Sequence, residues 1–139
     1  MTVLRRVLAS GGTCVAVTNG AQHLRSLREL IERAVWASTP GWRMRGPTGG
    51  VFTAENGAPQ LGVAFHEVTC VRPAQASPVV IEDAAVVADY VNSLASHYQD
   101  QVAPPWREVA SDVQEQVQAV IDTNDTFRTV GDVAAFVCR

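Results

Sequence analysis

The residue types best suited to chemistry gather around position 20. Thr18 and Asn19 close an apolar segment, Gly20 follows, and His23 lies within one turn of the next expected helix. In open α/β sheets ligands sit beyond the carboxyl ends of the strands, so Thr18, Asn19 and His23 are expected to face a bound small molecule. A neutral histidine there can take a proton from a hydroxyl or an amine. The alternative is that Thr18 or Asn19 caps the helix and His23 is a surface residue of its first turn. A second group, Trp36, Trp42, Arg43, Met44 and Arg45, borders a Gly- and Pro-rich stretch. It fits a lid over an apolar or anionic substrate; packing of Trp36 on a helix end, with solvated arginines, fits equally. Glu55 and Asn56 can hydrogen-bond a substrate, but Asn56-Gly57 is also a common turn dipeptide. His66 and His97 read as structural or solvated, and Tyr90, Tyr98 and Trp106 as core or interface. No Ser, His and Asp set has the context of a catalytic triad.

Composition narrows the chemistry further. The chain has 139 residues, 47% apolar and 18% charged, which suits one globular domain spanning 1–139. Its 11 basic and 14 acidic residues leave a formal charge of −3, so no general attraction to nucleic acid is expected. Every basic residue is arginine, which rules out a phosphate-loop, Schiff-base or nucleophilic lysine. Cys14, Cys70 and Cys138 are far apart, each within an apolar run, and read as reduced core thiols of a cytoplasmic protein. No CxxC or Cys/His pair suggests a metal site. Arg5 and Arg6 are followed by too short an apolar run for a signal peptide, and no segment reaches the roughly 18 apolar residues of a membrane span.

These residues must be held by alternating strands and helices. MTVLRRVLASGG reads as the end of a helix stopped by Gly11-Gly12. TCVAVTN (13–19) reads as a strand buried on both faces. A helix from about Ala21 to Trp36 carries Leu24, Leu27, Leu30, Ile31, Ala34 and Val35 on one stripe. Residues 37–50 form a long flexible loop punctuated by proline and glycine. A short helix within 52–65 precedes a strand at HEVTCVR (66–72), and VVIED (79–83) is extended. Helices follow on the stripes Val87, Tyr90, Val91, Leu94, Tyr98 and Trp106, Val109, Val113, Val117, Val120, Ile121. Pro105 fits the first turn of the latter. FRTVGDVAAFVCR (127–139) closes as one strand with a bulge at Gly131. The alternation predicts an α/β class with three strands, a thin sheet for a chain that opens on the tail of a helix.

LRRVLASGGTCVAVTNGAQHLRSLREL (4–30) resembles a stretch of class I S-adenosylmethionine-dependent methyltransferases, L-R-x-V-L-x-P-G-G followed by a strand and a helix. Ser10 stands where that family usually has proline. Glu55-Asn56-Gly57, then Phe65 with EVTCVR, and the closing FRTVGDVAAFVCR are similar to its type-11-like bacterial members. The resemblance spans nearly the whole chain but only the latter half of the family's domain. It implies a partial class I methyltransferase-like sheet in which 13–19, 66–72 and 127–138 are strands five, six and seven of the order 3-2-1-4-5-7-6, the last antiparallel. The N-terminal cofactor-binding half, with its glycine-rich turn and ribose-binding acid, is absent from these residues, and no GxGxxG after a strand replaces it. S-adenosylmethionine is therefore expected to bind an assembled enzyme and not this chain alone. The resemblance implies methyl transfer to a small-molecule acceptor, with His23 as base and Thr18, Asn19, Trp42, Glu55 and Asn56 on the acceptor. The other possibility is a non-catalytic partner subunit or a degenerate remnant. Strand 13–19 lacks its strand-four neighbour, so a second protein chain is expected: a hetero-subunit with the first half, a swapped homodimer, or a longer parent.

Overall fold

A computed structural model describes residues 6–45 and 52–139. Residues 1–5 of the expected opening helix and 46–50 of the expected loop lie outside them; Arg6 and Val7 are helical. The chain is mixed α/β, with small sheets rather than an extended parallel one. Among the described residues there are five strands: β1 (Cys14–Asn19), β2 (Val68–Val71), β3 (Ser77–Ile81), β4 (Phe127–Gly131) and β5 (Val133–Cys138). The helices are α1 (Arg25–Trp36), α2 (Gly57–Gly62), α3 (Ala84–Ser93), α4 (Ala95–Tyr98) and α5 (Trp106–Asn124), with a 3₁₀ turn at Gln99–Gln101. No described helix is long and apolar enough to cross a membrane.

One sheet has the order β1-β5-β2, and β5 is antiparallel to both neighbours. Cys14 faces Cys138 and Asn19 faces Val133 along one ladder, while Val68 faces Cys138 along the other. A separate two-stranded sheet pairs β3 with β4. The expected single strand 127–138 is therefore two strands in two sheets. The break falls at Asp132, whose side chain turns inward and is only 4% exposed, so the bulge anticipated at Gly131 is a full interruption. Strand β3 begins Ser77-Pro78, a place proline tolerates because a two-stranded sheet has only edge strands.

Two compact units result. The first takes the described residues within 1–23, 48–77 and 130–139. Its core joins one face of the three-stranded sheet to α2 through Leu61, Phe65, Ala134, Phe136 and Cys138, with Phe52 and Ala16 against them. Gly57 is required there, since an added Cβ would come within 2.5 Å of the Phe136 ring. The opposite face is open: Val15 is 60% and Val17 63% exposed. The expectation that strand 13–19 is buried on both faces is thus overturned. An antiparallel sheet with one packed and one bare face alternates, and β1 does. Cys70, on edge strand β2, is exposed rather than a core thiol, whereas Cys138 is buried and Cys14 half-buried.

The second unit takes the described residues within 24–47 and 78–129. Helices α1, α3 and α5 close over Ile31, Val35, Val87, Val91, Val113 and Val117, all at most 1% exposed. Asp83 caps α3 by accepting from the Ala85 N–H at 2.8 Å. The single helix expected from Val87 to Tyr98 breaks at Leu94 into α3 and α4. Pro105 sits one residue before α5, at its N-cap, and the helix ends on Asp125 in the left-handed conformation (φ 63°).

Candidate functional site

The carboxyl end of β1 belongs to the first unit, and a polar network is built on it. Helix α1 starts at Arg25 rather than near Ala21 because residues 20–24 form a separate turn. The His23 N–H donates to Gly20 O at 3.1 Å, and Leu24 is left-handed at φ 48°. That turn aims backbone amides at two carboxylates. The Ala21 N–H donates to Glu55 Oε1 at 3.2 Å, and the Gln22 N–H to Asp132 Oδ2 at 3.2 Å. Arg72, one residue beyond β2, ties the carboxylates together. Its guanidinium donates to Asp132 at 2.7–3.0 Å through Nε and Nη2, and to Glu55 Oε1 at 2.9 Å. Gly20 makes the approach feasible: a Cβ there would collide with the Asp132 carboxylate and come within 2.5 Å of Arg72 Nη2.

The electrostatics follow from these contacts. The Arg72 hydrogen bonds, aided by the Gln22 amide, hold the Asp132 carboxyl below its ordinary value against the opposing effect of burial. Partial desolvation pushes Glu55 up, but the Ala21 amide and Arg72 outweigh it, so Glu55 also sits low. The same two carboxylates, Asp132 first, raise the Arg72 guanidinium. All three groups are charged at neutral pH and satisfied by one another.

His23 joins the network through its ring. The Asp132 backbone N–H donates to His23 Nδ1 at 3.2 Å, which in the neutral ring leaves the proton on Nε2. In that tautomer Nε2–H is a hydrogen-bond donor, and proton uptake at Nδ1 requires release of the Asp132 amide.

The structure brings five of the sequence-derived candidates into this one unit. Thr18 Oγ1 donates to Phe52 O at 3.0 Å, and Asn19 O accepts from the Ala54 N–H at 3.1 Å. These bonds lay residues 52–54 along the end of β1. Asn56 Oδ1 accepts from the Thr53 N–H at 2.7 Å, the local turn role open to it from its sequence. Glu55 spends its carboxylate on Ala21 and Arg72. Trp42 belongs to the second unit, where its ring packs edge-on to Tyr98 and Trp106 at centroid distances of 5.5 and 6.2 Å. Its carbonyl accepts from Trp36 Nε1, and Arg43 lies over the Trp36 ring at 4.0 Å. A depression of about 320 Å³ in that unit, lined by Ala34, Ser38, Pro104, Glu108 and Asp112 among others, contains none of the candidates.

Arg72 and Asp132 were missed in the sequence, although a faint signal marked each. Arg72 ends an otherwise apolar strand, and Asp132 is a lone acid between two apolar runs. The 60 residues separating them hide the pairing. Among the described residues no group of three or more His, Cys, Asp or Glu side chains could hold a metal ion. Comparison with known proteins finds no family model that matches the chain and no curated protein that matches it.

Proposed function

We propose that these residues form the substrate-side half of a class I S-adenosylmethionine-dependent methyltransferase fold, acting on a small molecule together with a first half supplied from outside them. The observation that carries this reading is the sheet order. Strands β1, β5 and β2 lie in the order five-seven-six implied by the resemblance, with the middle strand antiparallel to both. Thr18, Asn19, Arg72 and Asp132 then share the end of the sheet where ligands of open α/β folds sit. The cofactor itself does not fit this chain. Gly20, the glycine at that end, is backed by Asp132 and Arg72 rather than open to a ligand. What this chain offers an acceptor is a set of polar side chains at the β1 end, Asn19 and His23 among them.

The partner requirement has its own support. Strand β1 is an edge strand of Cys, Val, Ala, Val, Thr and Asn, with no charge or proline to protect it. A second reading, a non-catalytic partner subunit, is favoured by the closure of the Arg72–Asp132–Glu55 network, which leaves those charges committed to structure.

Titration of S-adenosylmethionine into the chain alone, and into the chain co-expressed with the sequence encoded immediately upstream of Met1, tests the proposal. Binding and methyl transfer are expected only in the second case. Micromolar binding to a monomer of the chain alone, or none in either case, overturns the reading. In the active assembly, His23→Ala is expected to lower turnover by about 2- to 12-fold, the worth of one hydrogen bond, because the Asp132 amide occupies the nitrogen that a general base needs. Unchanged turnover favours the non-catalytic subunit.

A further inference from the structure

All three cysteines lie on the three-stranded sheet of the first unit: Cys14 on β1, Cys70 on β2 and Cys138 on β5. Register places Cys14 directly opposite Cys138, whereas Cys70 faces Phe136, two residues along. Cys14 and Cys138 point to the same face and pack in the same core. The Gly20 N–H donates to Asp132 O at 2.9 Å in the same ladder. Alternation from that bond makes Cys14–Cys138 a hydrogen-bonded pair, with Cα atoms about 5.5 Å apart. Disulfides span Cα separations of about 4.4–6.8 Å.

We propose that Cys14 and Cys138 are a redox site that closes to a reversible cross-strand disulfide on contact with a small-molecule disulfide of the glutathione type. Cys14, half-buried, is the entry thiol, and Cys138 is fully enclosed. Cys14 loses its proton to solvent, and its thiolate attacks one sulfur of the oxidant. The S–S bond breaks and one thiolate leaves to be protonated. Cys138 then gives up its proton, which burial hinders by pushing this thiol up, and attacks Cys14 Sγ. The mixed disulfide breaks and the second small thiol departs. Two protein thiols are oxidised by two electrons, and one small disulfide is reduced to two thiols. Directly opposed Cβ atoms lie at about 4.5–5.5 Å and must close to about 3.5–4.5 Å. The resulting strain makes the bond easily reduced, so the link is a switch rather than a permanent staple. When closed it ties the first described strand to the last and holds the β1–β5 ladder shut.

The test is to equilibrate the purified chain with oxidised glutathione, quench it in acid, alkylate it in denaturant and map the tryptic peptides without reduction. Two of the three thiols are expected to resist alkylation, with peptides 7–25 and 129–139 joined. Dithiothreitol should separate them. Cys70→Ser is expected to form the link to the same extent, and Cys14→Ser to form none. Full alkylation of Cys14 and Cys138, any link through Cys70, or loss of the link in Cys70→Ser overturns the proposal.

Discussion

The two units of this chain are built on opposite economies. The second encloses its apolar side chains: Ile31, Val35, Val91, Val113 and Val117 are fully buried, and Trp106 lies stacked on Tyr98. The first has a thin sheet with one packed face, an open face carrying Val15, Val17 and Val71, and a charged network at one end. The helical unit owes its stability to burial. The sheet unit adds a few satisfied polar contacts to a smaller core around Leu61 and Phe136, and its other face is bare. The candidate residues cluster in the sheet unit, where side chains are held by hydrogen bonds rather than by a deep core.

The sharpest way to test that contrast is to attack each unit at its centre. Trp106→Ala removes a ring that is 1% exposed and an Nε1–H donated to Val91 O at 2.6 Å. The expected loss is about 3–5 kcal/mol, read from the midpoint of urea unfolding. In the sheet unit, Asp132→Ala removes the carboxylate that the Gln22 amide donates to and leaves Arg72 with Glu55 alone, and a loss of about 2–4 kcal/mol is expected. If Asp132→Ala proves neutral, the network does not hold that unit together.

Acid distinguishes the units by another route. Asp132 and Glu55 are held below their ordinary values of 3.8 and 4.5. The unfolded chain therefore takes up protons before the folded one, and this stabilisation is present above about pH 4.5. It fades as pH falls through the lower folded values. Unfolding midpoints followed from about pH 6 to about pH 3 should decline, and Asp132→Asn should flatten the decline. An unchanged slope would place the acid sensitivity elsewhere. The smallest effect on stability is expected from Val17→Lys, within about 0.5 kcal/mol because the side chain is 63% exposed. Its effect on assembly is expected to be large. Light scattering should show a wild-type association that the variant loses; a wild-type chain already at 14.9 kDa would remove the case for a covered face.

Much of the architecture was legible along the chain. The stripes of α1 and α5 set the two helices that dominate the second core, because 3.6-residue periodicity survives wherever a helix buries one face. Strand β1 and the short α2 were likewise readable from local apolar runs and turn residues. The interruption at Asp132 was not: FRTVGDVAAFVC is apolar enough to read as one strand, and its single acid is held inward by Arg72 and the Gln22 amide, both far away in sequence. The start of α1 slipped by four residues for a related reason, since the amides of Ala21 and Gln22 serve carboxylates brought from distant segments.

Composition and periodicity determined the class, most of the helices and the chemistry ruled out by the absence of lysine, because each depends on residues a few positions apart. Tertiary structure alone decided what those residues do. It gave Glu55 to Arg72, aimed the Asp132 amide at His23 Nδ1, sent Trp42 into an aromatic core and set Cys14 against Cys138. Those pairings join residues from 17 to 124 positions apart, and local sequence carries no record of strand register until hydrogen bonding and burial select one.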